Sequence, residues 1–269
     1  MINGEKMNVW MNVVDVVLFS CLLVLDVFIT VKFLILEKKG KIVFVSAFYV
    51  LTMILCVSRI VFFIASFDEN NECGCVKTIA HNVAFYSMVG IDLLQICQLV
   101  ELGIHVKLSA EEIEEPKAKK QICYVTTVLL LAMVFYLGLG VFETTNTVEK
   151  DDFDDKILIH PLVLLSLSIA LTCAYMYLYM NMKRYFAEEM KDEERRVNTI
   201  YIVFTIACIS RAVIDFFEDP IDDQVFSVMY IFWEVIPLCL IMAYHYKCFS
   251  AQVKSLNELN DTQESRELF

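Results

Sequence analysis

The sequence predicts an all-α membrane protein built as a bundle of seven transmembrane helices. Hydrophobic residues make up 58% of the 269 residues, whereas a soluble domain has about 45–50% apolar residues. They gather in seven blocks, and about 20 helical residues suffice to cross a hydrocarbon core of ~30 Å. In addition, positive charges concentrate in alternate connections between the blocks, as expected of a polytopic protein.

The seven apolar blocks set the domain organisation. They are Trp10–Leu36, Ile42–Phe67, Val76–Val106, Gln121–Phe142, Ile157–Met182, Val197–Phe217 and Val225–Tyr246. Their length excludes buried strands. The alternative of a large soluble helical bundle requires charged outer stripes, which blocks 4 and 5 lack. We therefore predict one seven-transmembrane domain over residues 1–246 and a cytosolic C-terminal tail over residues 247–269.

Lysine and arginine predict the orientation of the bundle. Connections 1, 3 and 5 and the tail carry 15 of these residues. The N-terminus and connections 2, 4 and 6 carry 3, or 4 when Lys77 at the outer end of block 3 is included. Because lysine and arginine are enriched on the cytosolic side, we predict the N-terminus outside and the C-terminus in the cytosol. The lipid bilayer is accordingly the first expected partner.

Acidic residues crowd the predicted outer face. They are Asp68, Glu69, Glu72, Glu143, Glu149, Asp151, Asp152, Asp154, Asp155, Glu218, Asp219, Asp222 and Asp223. They form either a solvated rim or a cation or basic-ligand site around residues 149–155, a stretch without the spacing of an EF-hand. The formal charge of −12 argues against nucleic acid as a partner.

Cysteine and histidine give no sign of catalysis. Eight of the ten cysteines lie in or beside the blocks, where they act as small apolar fillers. Cys73 and Cys75 lie in the second outer connection and are disulfide candidates, with each other or between chains. A zinc site at these two cysteines is the alternative to a disulfide, and it would need the nearby His81 as a further ligand. No hydrolase, phosphate-loop or dinucleotide motif is present. We predict no enzyme, no metal and no cofactor.

Ionisable residues inside the blocks are the strongest indication of a functional site. A charge at mid-membrane costs about 2.5–3.5 kcal/mol on insertion scales, so it faces a partner or a water-filled cavity. The candidates are Asp15, Asp26, Arg59, Asp92, Glu101, Arg211, Asp215 and Glu234.

Depth along the helices groups four of these residues into one predicted polar network. At 1.5 Å per residue, Arg59, Arg211 and Glu234 lie roughly 12, 9 and 14 Å below the outer end of their helices. Asp215 lies one turn above Arg211 and is predicted to pair with it at i,i+4. Pairing of Arg59 with Glu234 would complete a balanced set of two cations and two anions.

Two deeper acids and a proline complete the candidate site residues. Asp26 and Asp92 lie roughly 24 Å from the outer end. Pro237 is predicted to kink the seventh helix and free a backbone carbonyl. Three interpretations of the network stay open: packing of helices 2, 6 and 7, a polar ligand pocket or switch, and a conducting path or proton relay.

Short motifs in three blocks resemble a known family. They are Ser58–Phe63 (Ser-Arg-Ile-Val-Phe-Phe), Ile209–Val213 (Ile-Ser-Arg-Ala-Val) and Phe232–Pro237 (Phe-Trp-Glu-Val-Ile-Pro). Arginine before apolar residues in helix 2, arginine in helix 6 and Glu-aliphatic-aliphatic-Pro in helix 7 are similar to the tobamovirus multiplication protein family of plants and related receptor-like seven-transmembrane proteins. The resemblance would make Arg59 and Glu234, with Arg211, an intramembrane set typical of that family.

The resemblance also implies a function. Such proteins are multi-pass proteins of the vacuole, lysosome or plasma membrane that recruit cytosolic partners, small GTPases among them, rather than catalyse. The leading prediction is a receptor-like protein that presents connections 3 and 5 and its tail to a soluble small GTPase or G protein. The alternatives are ligand-driven G-protein signalling, a non-catalytic subunit of a complex with other membrane subunits, and a transporter or channel.

Overall fold

The computed structural model describes residues 2–36, 43–67, 74–150, 159–185, 191–217, 228–247 and 250. Across these residues the chain is all-helical, and seven helices are long and apolar enough to cross a membrane, which confirms the predicted seven-helix bundle. They are α1 (Ile2–Leu36), α2 (Val43–Ala65), α3 (Gly74–Ser109), α4 (Glu115–Lys150), α5 (Ile159–Tyr185), α6 (Lys191–Phe217) and α7 (Val228–Lys247).

Several sequence-based predictions lie outside the described residues. They are the block starts Ile42, Ile157 and Val225, the cysteine Cys73, the acidic residues at 68–72, 151–155 and 218–223, and all of the tail except Lys247 and Ser250. Cys75, at the start of α3, is exposed. Its pairing with Cys73 stays a prediction, because Cys73 lies outside the described residues.

The helices extend beyond the apolar blocks. α3 and α4 have 36 residues each, which is about 54 Å at 1.5 Å per residue and exceeds a hydrocarbon core of ~30 Å. The predicted start of block 4 at Gln121 is wrong, because α4 begins at Glu115. Its first turns are polar, and Lys119 Nζ lies 2.7 Å from Glu115 Oε1. An apolar block marks only the part of a helix that crosses the lipid. Charged residues that favour helix can continue the same helix beyond the block.

α3 lies at the centre of the bundle and α4 at its margin. α3 packs against α2, α4 and α5, and its side chains Ile91 and Leu94 are buried. Of the seven spans, α3 has the most buried apolar segment and α4 the least buried one. The face of α4 that points away from the bundle carries apolar side chains that are more than 60% exposed, among them Leu131, Val134 and Phe135. Lipid tails are as apolar as leucine, so this face suits a membrane.

Consecutive helices run in opposite directions. The late part of α4 contacts the early part of α5 through Glu143 and His160. The late part of α6 likewise contacts the early part of α7 through Arg211 and Glu234. We call the end of the bundle where α2 ends and α3 begins the α2–α3 end, and the opposite end the α3–α4 end. Both of these contacts lie towards the α2–α3 end.

α7 contains a π-helical turn over Ile231–Val235, just before Pro237. The amide of Ile236 donates to the carbonyl of Ile231, five residues back, instead of four as in an α-helix. Proline has no N–H and its ring crowds the preceding turn. The disturbance predicted at Pro237 therefore takes the form of a π-helical turn, and this turn carries Glu234.

A glycine allows α3 and α4 to approach each other closely. A Cβ atom added at Gly140 would lie 2.7 Å from Cδ2 of Tyr86, whereas one added at Gly138 would meet no atom within 4 Å. The close approach brings the hydroxyl of Tyr86 to Oε2 of Glu143, to which it donates at 2.6 Å. Gly140 is thus needed for space, and Gly138 is not.

We expect Gly140→Ala and Gly138→Ala to change stability in opposite directions. Alanine is favoured over glycine in a helix by about 1 kcal/mol, so Gly138→Ala should raise the thermal unfolding midpoint of the detergent-solubilised protein slightly. Gly140→Ala should lower the midpoint, because overpacking costs about 1–3 kcal/mol. A midpoint for Gly140→Ala equal to or above that of Gly138→Ala would contradict the close contact with Tyr86.

Candidate functional site

Charged and polar side chains from four helices converge inside the bundle towards the α2–α3 end. We call the following residues the charge cluster: Arg59 from α2, His81 from α3, Arg211 and Asp215 from α6, and Tyr230 and Glu234 from α7. The structure therefore brings together the four residues of the predicted network. It adds a histidine and a tyrosine that the sequence analysis did not place there.

The carboxylate of Glu234 is shared by two arginines. Arg59 donates through Nε to Oε2 at 2.7 Å and through Nη2 to Oε1. Arg211 donates through Nη1 to the same Oε1 at 2.9 Å. The side chains of Arg59 and Glu234 are fully buried, and that of Arg211 is 5% exposed. Bidentate charge-assisted hydrogen bonds are strong and directional, so they fix α2, α6 and α7 relative to one another.

Aromatic rings surround both guanidinium groups. The guanidinium carbon of Arg59 lies 4.1 Å from the ring centroid of Tyr230. That of Arg211 lies 5.1 Å from Phe85 and 5.6 Å from Trp233. A cation over the face of an aromatic ring is attracted by the quadrupole of the ring, and the attraction grows when water is excluded. The rings thus replace part of the hydration that the arginines have lost.

The second predicted pair of the network is looser than the first. Nε of Arg211 lies 3.9 Å from Oδ2 of Asp215, and the side chain of Asp215 is 20% exposed. On α1, the buried Asp15 also acts electrostatically on Arg59 and Glu234. Arg211 is therefore held mainly by Glu234, with Asp215 as a weaker, more distant counter-charge.

His81 connects the charge cluster to α3. Its Nδ1 lies 3.4 Å from Nη1 of Arg59 and 3.4 Å from the hydroxyl of Tyr230. In the tautomer with an unprotonated Nδ1, this nitrogen accepts from Arg59 or from Tyr230. The ring of His81 lies 6.1 Å from that of His160 on α5, which extends the polar region further across the bundle.

His160 belongs to a smaller polar group that joins α3, α4 and α5. Its Nε2 lies 2.8 Å from Oε1 of Glu143, and the other oxygen of Glu143 accepts from Tyr86. The imidazole of His160 stacks on Phe85, with 3.8 Å between ring centroids and 20° between planes. Phe85 also faces Arg211, so one ring separates this group from the charge cluster.

Asp92 and Asp26 lie apart from the charge cluster. Asp92 on α3 is 1% exposed, and its Oδ2 lies 3.7 Å from Sγ of Cys208. Asp26 on α1 is fully buried, and neither of its carboxyl oxygens has a hydrogen-bond partner among the described residues. Of the eight ionisable candidates of the sequence analysis, four thus form the cluster, and Asp26 and Asp92 lie apart from it as buried aspartates.

Three residues of these polar groups were missed by the sequence analysis or assigned wrongly. The sequence analysis considered His81 only as a possible zinc ligand and did not consider His160, yet the rings of the two histidines are neighbours. Glu143 was assigned to the solvated acidic rim, but it is 5% exposed and contacts His160. A usable signal existed, because His81, His160 and Glu143 all lie near the helix ends that meet at the α2–α3 end. The depth calculation applied to the other charges would have put them at the level of the predicted network, although depth alone does not give the direction in which each side chain faces.

The geometry of the charge cluster favours holding helices over binding a metal or transferring protons. Among the described residues, no group of three or more His, Cys, Asp or Glu side chains could hold a metal ion. The carboxylate of Glu234 is engaged by two guanidinium groups. Arginine stays protonated in proteins, so neither side of this contact offers an exchangeable proton.

Comparison with known proteins gives no family assignment. No protein-family model matches the chain, and neither does any curated protein or solved structure. The resemblance to the tobamovirus multiplication protein family rests on the three motifs alone.

We expect Glu234→Gln to destabilise the protein more than Arg59→Ala or Arg211→Ala. The Glu234 substitution leaves two buried cations without their carboxylate, and an uncompensated buried charge costs about 3–5 kcal/mol. Each arginine substitution leaves Glu234 with the other arginine. The measurement is the thermal unfolding midpoint in detergent. Glu101→Gln is the matched control, because Glu101 is 30% exposed and its loss should shift the midpoint little.

A double-mutant cycle tests the shared carboxylate. Arg59→Ala combined with Glu234→Ala should be less destabilising than the sum of the two single changes, because the pair is removed together. The rescue should be partial, since Arg211 then lacks its main counter-charge. Strict additivity in this cycle would show that the two side chains do not interact in the folded protein.

Proposed function

We propose that the protein is a receptor-like seven-transmembrane protein that recruits or signals to a cytosolic partner, a small GTPase or a G protein. The observation that carries the proposal is the carboxylate of Glu234, which joins α2, α6 and α7 through Arg59 and Arg211. A few strong contacts, rather than a broad apolar seam alone, hold these three helices together. Ionisable residues at such positions mark functional sites by default.

The polar contacts between α2, α6 and α7 support a switching role. Packed helices have discrete arrangements, and a signal passes when one arrangement replaces another. Trp233 on the π-turn donates to Ser210 on α6 at 2.9 Å, which also joins α6 to α7. If the contacts of Glu234 were broken, α6 and α7 would therefore move away from α2 together at the α2–α3 end. We propose that this end senses, and that the α3–α4 end meets the soluble partner.

The proposed orientation puts the N-terminus outside and the C-terminus in the cytosol. Exposed cations cluster at the α3–α4 end, among them Lys117, Lys119 and Arg184. Cytosolic segments are enriched in lysine and arginine. The resemblance in the motifs of α2, α6 and α7 adds the vacuole, lysosome or plasma membrane as the location and a non-catalytic role.

A non-catalytic subunit of a larger membrane complex is the second candidate function. It is favoured by the outer face of α4, where large apolar side chains such as Leu131 and Phe135 are more than 60% exposed. Lipid can cover this face, and so can the helices of another membrane subunit. The two candidate functions differ in what accompanies the purified protein.

The orientation can be tested with two thiols on one helix. Cys75 and Ser109 are exposed at opposite ends of α3. In sealed right-side-out vesicles, a membrane-impermeant maleimide added outside after mild reduction should label Cys75. In a Cys75→Ser, Ser109→Cys variant, that position should be labelled only after permeabilisation. The reverse pattern would overturn the proposed orientation.

The proposed function can be tested by affinity purification from native membranes after mild crosslinking, followed by mass spectrometry. We expect a soluble GTP-binding protein among the crosslinked companions and no stoichiometric membrane subunit. A Glu234→Gln variant, with a Glu101→Gln control, should alter the yield of that companion if the charge cluster governs its recruitment. Membrane subunits recovered in stoichiometric amounts would instead make the protein a component of a larger assembly.

A further inference from the structure

Two cations at the α3–α4 end differ from their neighbours in having no counter-charge. Lys107 on α3 is half-buried and Arg184 on α5 is exposed, and neither forms an ion pair with a carboxylate of the described residues. Lys117 and Lys119 at the start of α4 are 69% and 74% exposed, and they lie 3.2 and 2.7 Å from glutamates. A half-buried ammonium group has lost part of its hydration, so Lys107 in particular needs an anion or another polar group in its place.

Lys107 projects from the side of α3 that lies between α4 and α5. Tyr86 on α3 contacts Gly140 on α4, and a Cβ atom added at Gly103 on α3 would lie 2.6 Å from Cε1 of Tyr177 on α5. At 3.6 residues per turn, Lys107 points between these two contact directions. Its Nζ lies 4.8 Å from the ring centroid of Tyr177. The ammonium group is therefore held against α5, at the border with α4.

α5 adds further hydrogen-bond donors beside this ammonium group. Tyr177, Asn181 and Arg184 are spaced at i, i+4 and i+7, which places them on one side of the helix. Asn181 is 7% exposed, and its Nδ2 has no hydrogen-bond partner in the part of the chain that the structure describes. This nitrogen would lie 3.5 Å from a Cβ atom added at Gly103, so it is directed to α3. A buried donor without a partner costs free energy, and an oxygen atom of a ligand would satisfy it.

The carboxylates at this end do not supply the missing anion. Glu101 lies 3.7 Å from Nε2 of His105, and the glutamates at the start of α4 contact the lysines there. Glu111 and Glu112, in the turn after α3, are exposed and form no ion pair with a cation of the described ranges. Exposed carboxylates remain hydrated and gain little from pairing. The anion that suits Lys107 and Arg184 therefore comes from outside the chain.

The surface next to Arg184 favours a lipid over a soluble anion. Met180 precedes Arg184 by four residues on α5, and Met176 and Ile169 continue this apolar surface towards the other end of the bundle. Their side chains are 58%, 46% and 59% exposed, respectively. Tyrosines such as Tyr177 are enriched where the hydrocarbon core meets water. A lipid uses both the cations and the apolar surface beside them, whereas a soluble anion uses only the cations.

We infer that Lys107 and Arg184, with the amide of Asn181, bind the headgroup phosphate of an anionic phospholipid whose acyl chains lie along α5. Basic sites between transmembrane helices suit such headgroups. Arginine offers paired donors to phosphate oxygens, and lysine acts as a point charge whose position is set here by Tyr177. In the proposed orientation the lipid belongs to the cytosolic leaflet, where anionic lipids attract basic segments. The inference requires that the bundle spans a membrane, but it does not depend on the receptor-like function.

Native mass spectrometry of the full-length protein tests this site. After reconstitution with equal amounts of phosphatidylserine and phosphatidylcholine, the protein should retain phosphatidylserine preferentially. Lys107→Gln with Arg184→Gln should lower its retention about 25-fold, because each cation near an anionic lipid contributes about fivefold. Lys117→Gln with Lys119→Gln is the matched control, since it removes the same charge at the same end, and it should lower retention far less. Equal retention of the two lipids, or equal losses in the two double variants, would overturn the inference.

Thermal unfolding in detergent separates a lipid from a free anion. Short-chain phosphatidylserine should raise the unfolding midpoint, whereas inorganic phosphate at the same concentration should not. An equal rise with inorganic phosphate would show a site for the free anion and overturn lipid binding. Asn181→Leu leaves the net charge unchanged and should reduce the rise. If the Lys107 and Arg184 double variant does not fold, each single variant should still lower phosphatidylserine retention about fivefold, and unchanged retention in both would contradict the site.

Discussion

The shared carboxylate of Glu234 is the contact on which the arrangement of the bundle depends. Two unit charges 4 Å apart attract by about 4 kcal/mol at an effective dielectric constant of 20, and more where water is excluded. Arg59 and Arg211 approach Glu234 more closely than this. Apolar side chains could be exchanged between lipid and protein with little change in free energy, since lipid is equally apolar. The charged side chains cannot be moved into lipid without a large cost, so α2, α6 and α7 must meet where Glu234 lies.

Other features of the α2–α3 end follow from this requirement. The π-helical turn before Pro237 carries Glu234 and Trp233, which contact Arg211 and Ser210 on α6. On the other side of Phe85, a smaller polar group links α3, α4 and α5. Its geometry needs the contact of Tyr86 with Gly140, which only a residue without Cβ permits. One end of the bundle is thus held by polar contacts across six helices.

The sequence predicted these features unequally, for physical reasons. Composition and block length predicted seven spans, because the hydrocarbon core requires length and apolarity alone. Depth predicted that Arg59 and Glu234 would meet, because rise per residue is constant. It did not predict the contact of Glu143 with His160, since that depends on how each helix is rotated about its axis. The true start of α4 at Glu115 was missed as well, because polar residues continue a helix without any apolar signal.

The two buried acids Glu234 and Asp92 show opposite solutions to the same electrostatic problem. Glu234 remains charged because two arginines that cannot lose their protons surround it. Asp92 faces the thiol of Cys208 instead, at 3.7 Å. Because Cys208 precedes Arg211 by three residues on α6, a change in the charge of Asp92 would be felt by the arginine that holds Glu234. α6 therefore links the two buried acids, because it supplies Cys208 to Asp92 and Arg211 to Glu234.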